Sequence, residues 1–182
     1  MPADPETIQT KAARIRLLLF DVDGVLTDGK ILVHPDGSES KRFDIRDGTG
    51  LVWAHRAGLM TGLISGRASA CTTHRAAQLG IPIVHQSAVA KAETYEQILR
   101  EHHLRDEEVA FMGDDLLDLP VLARVGLSAA PADGAPAVRE RVDWVSGSRG
   151  GDGAVRELIE LVLQAQHRWD EVVSAYVAEG QR

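Results

Sequence analysis

Four short, mostly apolar runs, three of them halted by small or acidic residues, constrain this chain more than any other feature. They are Leu17–Phe20 before Asp21, Met60–Ile64 before Ser65-Gly66, Ile81–His85, and Val109–Met112 before Gly113-Asp114-Asp115. None shows the strict apolar–polar alternation of a half-buried strand, so each reads as a strand covered on both faces. Between them lie stretches with helical periodicity: Thr49–Ala57, Ala68–Leu79 with Gly80 as its stop, and Ala90–His103. Leu116–Arg124 reads as a further helix ended by Gly126. Leu127–Ala129 and Trp144–Ser146 read as short strands around an Ala/Pro/Gly-rich helix start, and Gly153–Val177 as one long amphipathic helix. Strands spaced by helices of this length imply βαβ units: an α/β fold with a central parallel sheet, right-handed crossovers and helices on both faces.

A β-hairpin interrupts this alternation at residues 30–43, where His34-Pro35-Asp36-Gly37 supplies turn chemistry between Lys30–Val33 and Ser38–Phe43. Residues 1–14 read as a tail or short leading helix, 15–178 as a single domain, and 179–182 as a C-terminal tail. The 182 residues suffice for a core without staples. Aromatics are only 4%, so that core must come from Leu, Val, Ile and Ala. Against 27 Asp+Glu the chain has 20 Lys+Arg, and a net charge of −7 repels nucleic-acid phosphates. No apolar run reaches bilayer length and the N-terminus lacks a signal-peptide apolar region, so the expectation is a cytoplasmic protein without membrane partners. Its one cysteine, Cys71, cannot form an internal disulfide, which fits a reducing compartment. The seven histidines show no metal-site spacing.

In open parallel sheets ligands bind beyond the carboxyl ends of the strands. Here those ends carry Asp21 and Asp23, Ser65-Gly66-Arg67, and Gly113-Asp114-Asp115, and Lys91 opens the helix after the third strand. Carboxylates gathered in a partly dry site stay ionised together only beside a cation. An all-oxygen site facing a phosphate is the usual setting for Mg²⁺. The expected ligands are Asp21, Asp114 and the backbone carbonyl of Asp23. Lys91 would offset phosphate charge, while Ser65 Oγ and the Gly66 N–H would donate to phosphoryl oxygens. Asp118, four residues after Asp114, shares its helix face. It could reach the metal, hold a bound water or favour the helix N-terminus, and these three readings stay open. Asp115 reads as a cap or outer-layer residue. Plainer readings stand beside these: Asp21 and Asp23 as turn formers, Ser65 and Asp114 as helix caps, Lys91 as a solvated lysine.

The segment FDVDGVLTDG at 20–29 resembles the first motif of the haloacid dehalogenase (HAD) superfamily. Ser65, Lys91 and Gly113-Asp114-Asp115-Leu116-Leu117-Asp118 fall in the order and approximate spacing of its other three motifs. The resemblance implies a Rossmann-like fold, Asp21 as the nucleophile that forms an aspartyl-phosphate, and Asp23 as general acid and then base. An Asp at the second position points to phosphate esters, because an alkoxide leaving group needs a proton donor. Over about 15–170 the chain resembles more narrowly the 3-deoxy-D-manno-octulosonate 8-phosphate phosphatases, HAD enzymes of lipopolysaccharide sugar synthesis without a large cap. Phe43-Asp44-Ile45-Arg46-Asp47-Gly48, Val125-Gly126-Leu127-Ser128 and Gly150-Gly151-Asp152-Gly153-Ala154-Val155-Arg156-Glu157 carry that likeness, with the hairpin. It implies a Mg²⁺-dependent phosphatase and a homotetramer in which hairpins pack together and a neighbouring subunit closes each site. Related families leave two alternatives: a phosphatase for another small ester such as a nonulosonate 9-phosphate, and a non-catalytic HAD-like subunit. One position departs from the pattern. The family commonly has Arg or Lys where this chain has Asp152, and an Asp there would repel a sugar-acid carboxylate. Arg67 and Arg149 remain available for carboxylate or phosphate contacts.

Overall fold

The computed structural model describes residues 4–179. In chain order its principal elements are α1 (Pro5–Ala12), β1 (Leu17–Phe20), β2 (Leu32–Val33), β3 (Glu39–Ser40), α2 (Ile45–Arg56), β4 (Met60–Ile64), α3 (Ala70–Leu79), β5 (Ile83–His85), α4 (Lys91–His102), β6 (Val109–Met112), α5 (Leu119–Leu122), β7 (Leu127–Ala130), α6 (Pro136–Arg139), β8 (Trp144–Val145), α7 (Ala154–Ala165) and α8 (Trp169–Glu179). Six strands form one sheet in the order β5-β4-β1-β6-β7-β8, and every pairing is parallel. The chain winds from central β1 out to β5, then returns across β1 to build the other half. That reversal opens a crevice at the carboxyl end of β1.

Every residue of β1 is buried, as a strand covered on both faces requires. Leu18 and Phe20 join one core cluster with Leu51 of α2 and Leu158 of α7, whereas Leu17 and Leu19 join a second with Tyr95 and Ile98 of α4. Register sets the height of the strand ends. Phe20 pairs with both Leu63 and Met112, so Asp21 leaves the sheet one residue short of Ser65 and Asp114.

Several boundaries differ from expectation for local physical reasons. Helix α2 starts at Ile45 rather than Thr49, because Asp44 Oδ1 caps the N–H groups of Arg46 and Asp47 at 2.5 and 3.2 Å. The expected Leu116–Arg124 helix is a 3₁₀ turn over Leu116–Asp118 followed by the short α5. The hairpin is real but pairs only Leu32–Val33 with Glu39–Ser40. The single long C-terminal helix is corrected to two. His167 takes φ +57°, its N–H reaches Gln164 O, and the Arg168 N–H reaches Leu163 O. This left-handed cap ends α7 without a glycine, and it lets Trp169 meet Trp53 edge-on at 5.4 Å. The stretch read as a tail or leading helix forms α1, with Ile8 and Ala12 buried. Of the expected C-terminal tail, Glu179 ends α8 and residues 180–182 lie outside the described residues, as do residues 1–3.

Candidate active site

The crevice beyond β1 and β6 gathers acidic side chains through backbone contacts. The Asp21 N–H donates to Met112 O at 3.0 Å, prolonging the sheet pairing one residue past the strand. The chain then coils tightly, with Val22 O accepting the N–H groups of Leu26 and Thr27 at 3.0 and 3.1 Å. On the other side, Asp118 Oδ2 accepts the N–H groups of Asp114 and Asp115 at 2.9 and 3.2 Å. Its Oδ1 accepts from Lys91 Nζ at 2.6 Å. The same ammonium lies 2.8 Å from Asp21 Oδ1. Lys91 and Asp118 are both buried and paired with each other, as buried charges must be.

Among the described residues, one group of metal-capable side chains emerges: Asp21, Asp114 and Asp118 each offer an oxygen, all within 4.8 Å of one another. Asp114 Oδ1 is buried and accepts no hydrogen bond. Burial, and then the charges of Asp21, Asp118 and Asp115, push the Asp114 carboxyl up to about 8. Burial and the Asp118 charge push Asp21 up to about 6 against the pull of Lys91. Burial works against the Lys91 ammonium, but Asp21 and Asp118 outweigh it and hold its pKa above the ordinary value. Three carboxylates against one ammonium, an oxygen-only donor set and an orphaned carboxylate oxygen fit a hard divalent cation such as Mg²⁺.

The remaining expected residues are placed as follows. Ser65 is buried, its N–H bonded to His85 O, while its Oγ donates to Arg67 O at 3.1 Å. Gly66 is exposed and borders open space. Asp115 is exposed, and its carboxylate accepts the Leu116 N–H at 2.7 Å. The Asp23 carboxylate stands outside the three-oxygen group. Its Oδ1 accepts from Lys41 Nζ at 2.6 Å, and its Oδ2 lies 3.9 Å from Arg67 Nη1. Arg67 Nη2 in turn donates to Glu39 Oε2 at 3.0 Å. Sequence reasoning passed over Glu39 and Lys41. Residues two apart on an extended chain share a face, which sets Glu39 and Lys41 on one side of the hairpin, but nothing in the sequence pairs them with Arg67 and Asp23.

The Gly150–Gly153 loop packs on the turn that follows Asp23. The Gly151 N–H donates to Val25 O at 2.9 Å, and a Cβ at Gly150 would stand 1.8 Å from Gly24 O. Asp47 ties this loop to α2, accepting from the Arg156 and Gly153 N–H groups at 2.8 and 3.3 Å. Asp152 is not a bare anion: Arg46 Nη2 donates to it at 2.9 Å while also bridging Asp44. Arg149 pairs with Asp133 at 3.2 Å. Beside this loop lies a cavity of about 690 Å³ whose lining includes Lys30, Arg42, Phe43, Arg46, Arg149 and Asp152.

A family model described as haloacid dehalogenase-like hydrolase matches residues 64–158. The chain is 42% identical over 170 residues to the 3-deoxy-D-manno-octulosonate 8-phosphate phosphatase KdsC of Salmonella typhimurium, covering 93% of this chain and 90% of that protein. Its fold matches the crystal structure of the phosphatase of that name from Moraxella catarrhalis in complex with a magnesium ion, a phosphate ion and KDO. There the TM-score is 0.93 at 34% identity, over 95% of this chain and 99% of the other. A cobalt-bound Haemophilus influenzae deoxy-D-mannose-octulosonate 8-phosphate phosphatase matches with TM-score 0.85 at 36% identity, over 87% and 93% of the two chains.

Proposed function

This chain belongs to the haloacid dehalogenase-like hydrolases, and from that membership we propose that it is a Mg²⁺-dependent phosphatase of 3-deoxy-D-manno-octulosonate 8-phosphate. The observation that carries the reading is the Asp21–Asp114–Asp118 group with Lys91 against it. Asp21 attacks phosphorus in line. The bond from phosphorus to the sugar oxygen breaks, and Asp23 protonates that oxygen as it leaves. In the second half, Asp23 takes a proton from water as the water attacks the aspartyl-phosphate. The bond from phosphorus to Asp21 breaks, inorganic phosphate leaves and the Asp21 carboxylate returns. Asp21, Asp114 and the Asp23 carbonyl would hold the cation. Bound there, it offsets the charge that would otherwise keep an anionic nucleophile from an anionic ester. Lys91, Ser65 and the Gly66 N–H receive the phosphoryl oxygens, Ser65 turning its hydroxyl outward from Arg67. Asp118 anchors Lys91 and the Asp114 backbone, and Asp115 caps the following turn. Arg67, whose Nη1 lies 3.9 Å from Asp23 Oδ2, would contact the substrate.

Phosphate release from 3-deoxy-D-manno-octulosonate 8-phosphate, measured with Mg²⁺ and with EDTA, tests the proposal. Release that requires Mg²⁺ and disappears in Asp21→Asn is expected. No release from this ester while other phosphate esters turn over would reject the substrate. The Asp152–Arg46 pair favours a second reading, a small phosphate ester that carries no carboxylate, because the pair withholds a cation that a sugar-acid carboxylate could use.

We also propose that residues 15–178 act as one domain in a cytoplasmic homotetramer. Leu32 and Val33 of the hairpin are 63% and 64% exposed, apolar surface that a second copy would cover, and the free thiol of Cys71 suits a reducing compartment. Light scattering of the purified chain, with Leu32→Asp as control, tests the assembly. A wild-type monomer would reject it.

A further inference from the structure

Lys41 sits on the second arm of the hairpin, away from the strand ends that form the acidic site, yet its side chain has 0% exposure. A lysine is rarely buried so completely, since an ammonium withdrawn from water must be paired. Its Nζ is 2.6 Å from Asp23 Oδ1, a charge-assisted hydrogen bond at the short end of the range. Lys41 directly follows β3, and Glu39 within β3 shares its face. Glu39 holds Arg67, and Arg67 lies 3.9 Å from the other oxygen of Asp23. The hairpin thus reaches into the site through two charges, one of them directly on Asp23.

We infer that Lys41 is a positioning residue for the phosphatase reaction, committing Asp23 Oδ1 to a fixed contact so that Oδ2 is the oxygen that exchanges the proton. The inference rests on the reading of Asp23 as general acid and base. A carboxyl group with no fixed partner rotates about its last torsion. One hydrogen bond to a buried ammonium removes that freedom and leaves a single oxygen facing the leaving group, then the water. Because Lys41 sits on the hairpin, any shift of the hairpin on substrate binding moves Asp23 with it.

The test compares Lys41→Met with wild type on an alkyl phosphate and on p-nitrophenyl phosphate. The alkoxide needs a proton as it leaves and nitrophenolate does not. Misplacing a catalytic group costs on the order of 10²-fold, so kcat on the alkyl ester should fall about that much with KM nearly unchanged. With the aryl ester, phosphorylation should persist and hydrolysis slow, giving a burst of nitrophenolate equal to the enzyme present. Lys41→Ala should regain turnover with added ethylamine, which a variant that merely failed to fold would not. Equal losses on both esters with neither burst nor rescue would overturn the inference, as would wild-type rates. Asp23→Asn is measured alongside. If it is as fast as wild type, the reading of Asp23 fails; if it is inactive while Lys41→Met is normal, the inference about Lys41 alone fails.

Discussion

Gly24 backs onto Asp114 so closely that a Cβ on Gly24 would stand 2.1 Å from Asp114 Oδ2. Gly24 also takes φ +98°, a conformation that L side chains rarely adopt. The two acidic loops are therefore interlocked through a position that only glycine fills, and the height of Asp114 above the sheet depends on the turn that carries Asp23.

Gly24→Ala should accordingly damage function more than stability. The strained backbone costs about 1–2 kcal/mol, whereas Asp114 must move to admit the methyl group. The expected result is a loss of turnover of about 10²-fold or more, with weakened Mg²⁺ affinity in titrations. A variant with normal Mg²⁺ affinity and normal kcat would show that the Asp114 position is unimportant.

Asp114→Asn separates stability from activity. Burial and three neighbouring acids oppose the Asp114 charge, so the amide should raise Tm in EDTA, by about 2–4 °C for each kcal/mol relieved in a chain of this size. Saturating Mg²⁺ should then stabilise wild type by mass action and the variant much less. Turnover should collapse. Differential scanning fluorimetry with and without Mg²⁺ reads both effects, and equal Mg²⁺ shifts in the two proteins would remove Asp114 from the cation site.

Much of this arrangement was legible in the letters. The sheet could be read because buried parallel strands are apolar on both faces, so β1, β4 and β6 stand out between glycines and acids. Asp21, Asp114, Asp118 and Lys91 could be read because strand ends in such a sheet converge. What escaped depends on tertiary contact. Helix α2 runs through Gly48 and Gly50, residues that weaken a helix by propensity; Cβ atoms there would crowd Arg75 and Arg156. The break before α8 hangs on a histidine in a left-handed conformation, for which no local signal exists. Lys41 escaped because its importance lies in burial, and nothing near it in sequence announces a partner eighteen residues away.

Asp152→Ala should remove one of the two carboxylates that neutralise Arg46, leaving Asp44 as its partner, and make the cavity beside the Gly150–Gly153 loop more positive. Both partners are largely exposed, so the pair itself contributes little stability. The expected gain is a two- to five-fold rise in kcat/KM for an acid-sugar phosphate, carried by KM, fading as salt is raised past about 0.5 M. A neutral sugar phosphate should show no gain. Identical responses from both esters would mean that Arg46 does not face the substrate carboxylate.

Asp47 sets two effects against each other. Its carboxylate accepts two N–H groups at the start of α7, which favours the charged form, but it is 1% exposed, which disfavours it. Burial wins, and its pKa is pushed up to about 6 from an ordinary 3.8. The folded state therefore binds more protons than the unfolded state between those values. Stability from this group is fully present below about pH 4 and is lost as pH rises through about 6. Asp47→Asn keeps the shape and one acceptor oxygen but does not titrate. The unfolding free energy of wild type minus that of the variant should fall by about 2–3 kcal/mol from pH 4 to pH 7 and stay flat above. Urea midpoints across that range measure it. A difference that rises with pH instead would mean that the N-terminus of α7 outweighs burial and that Asp47 is a charged cap for that helix.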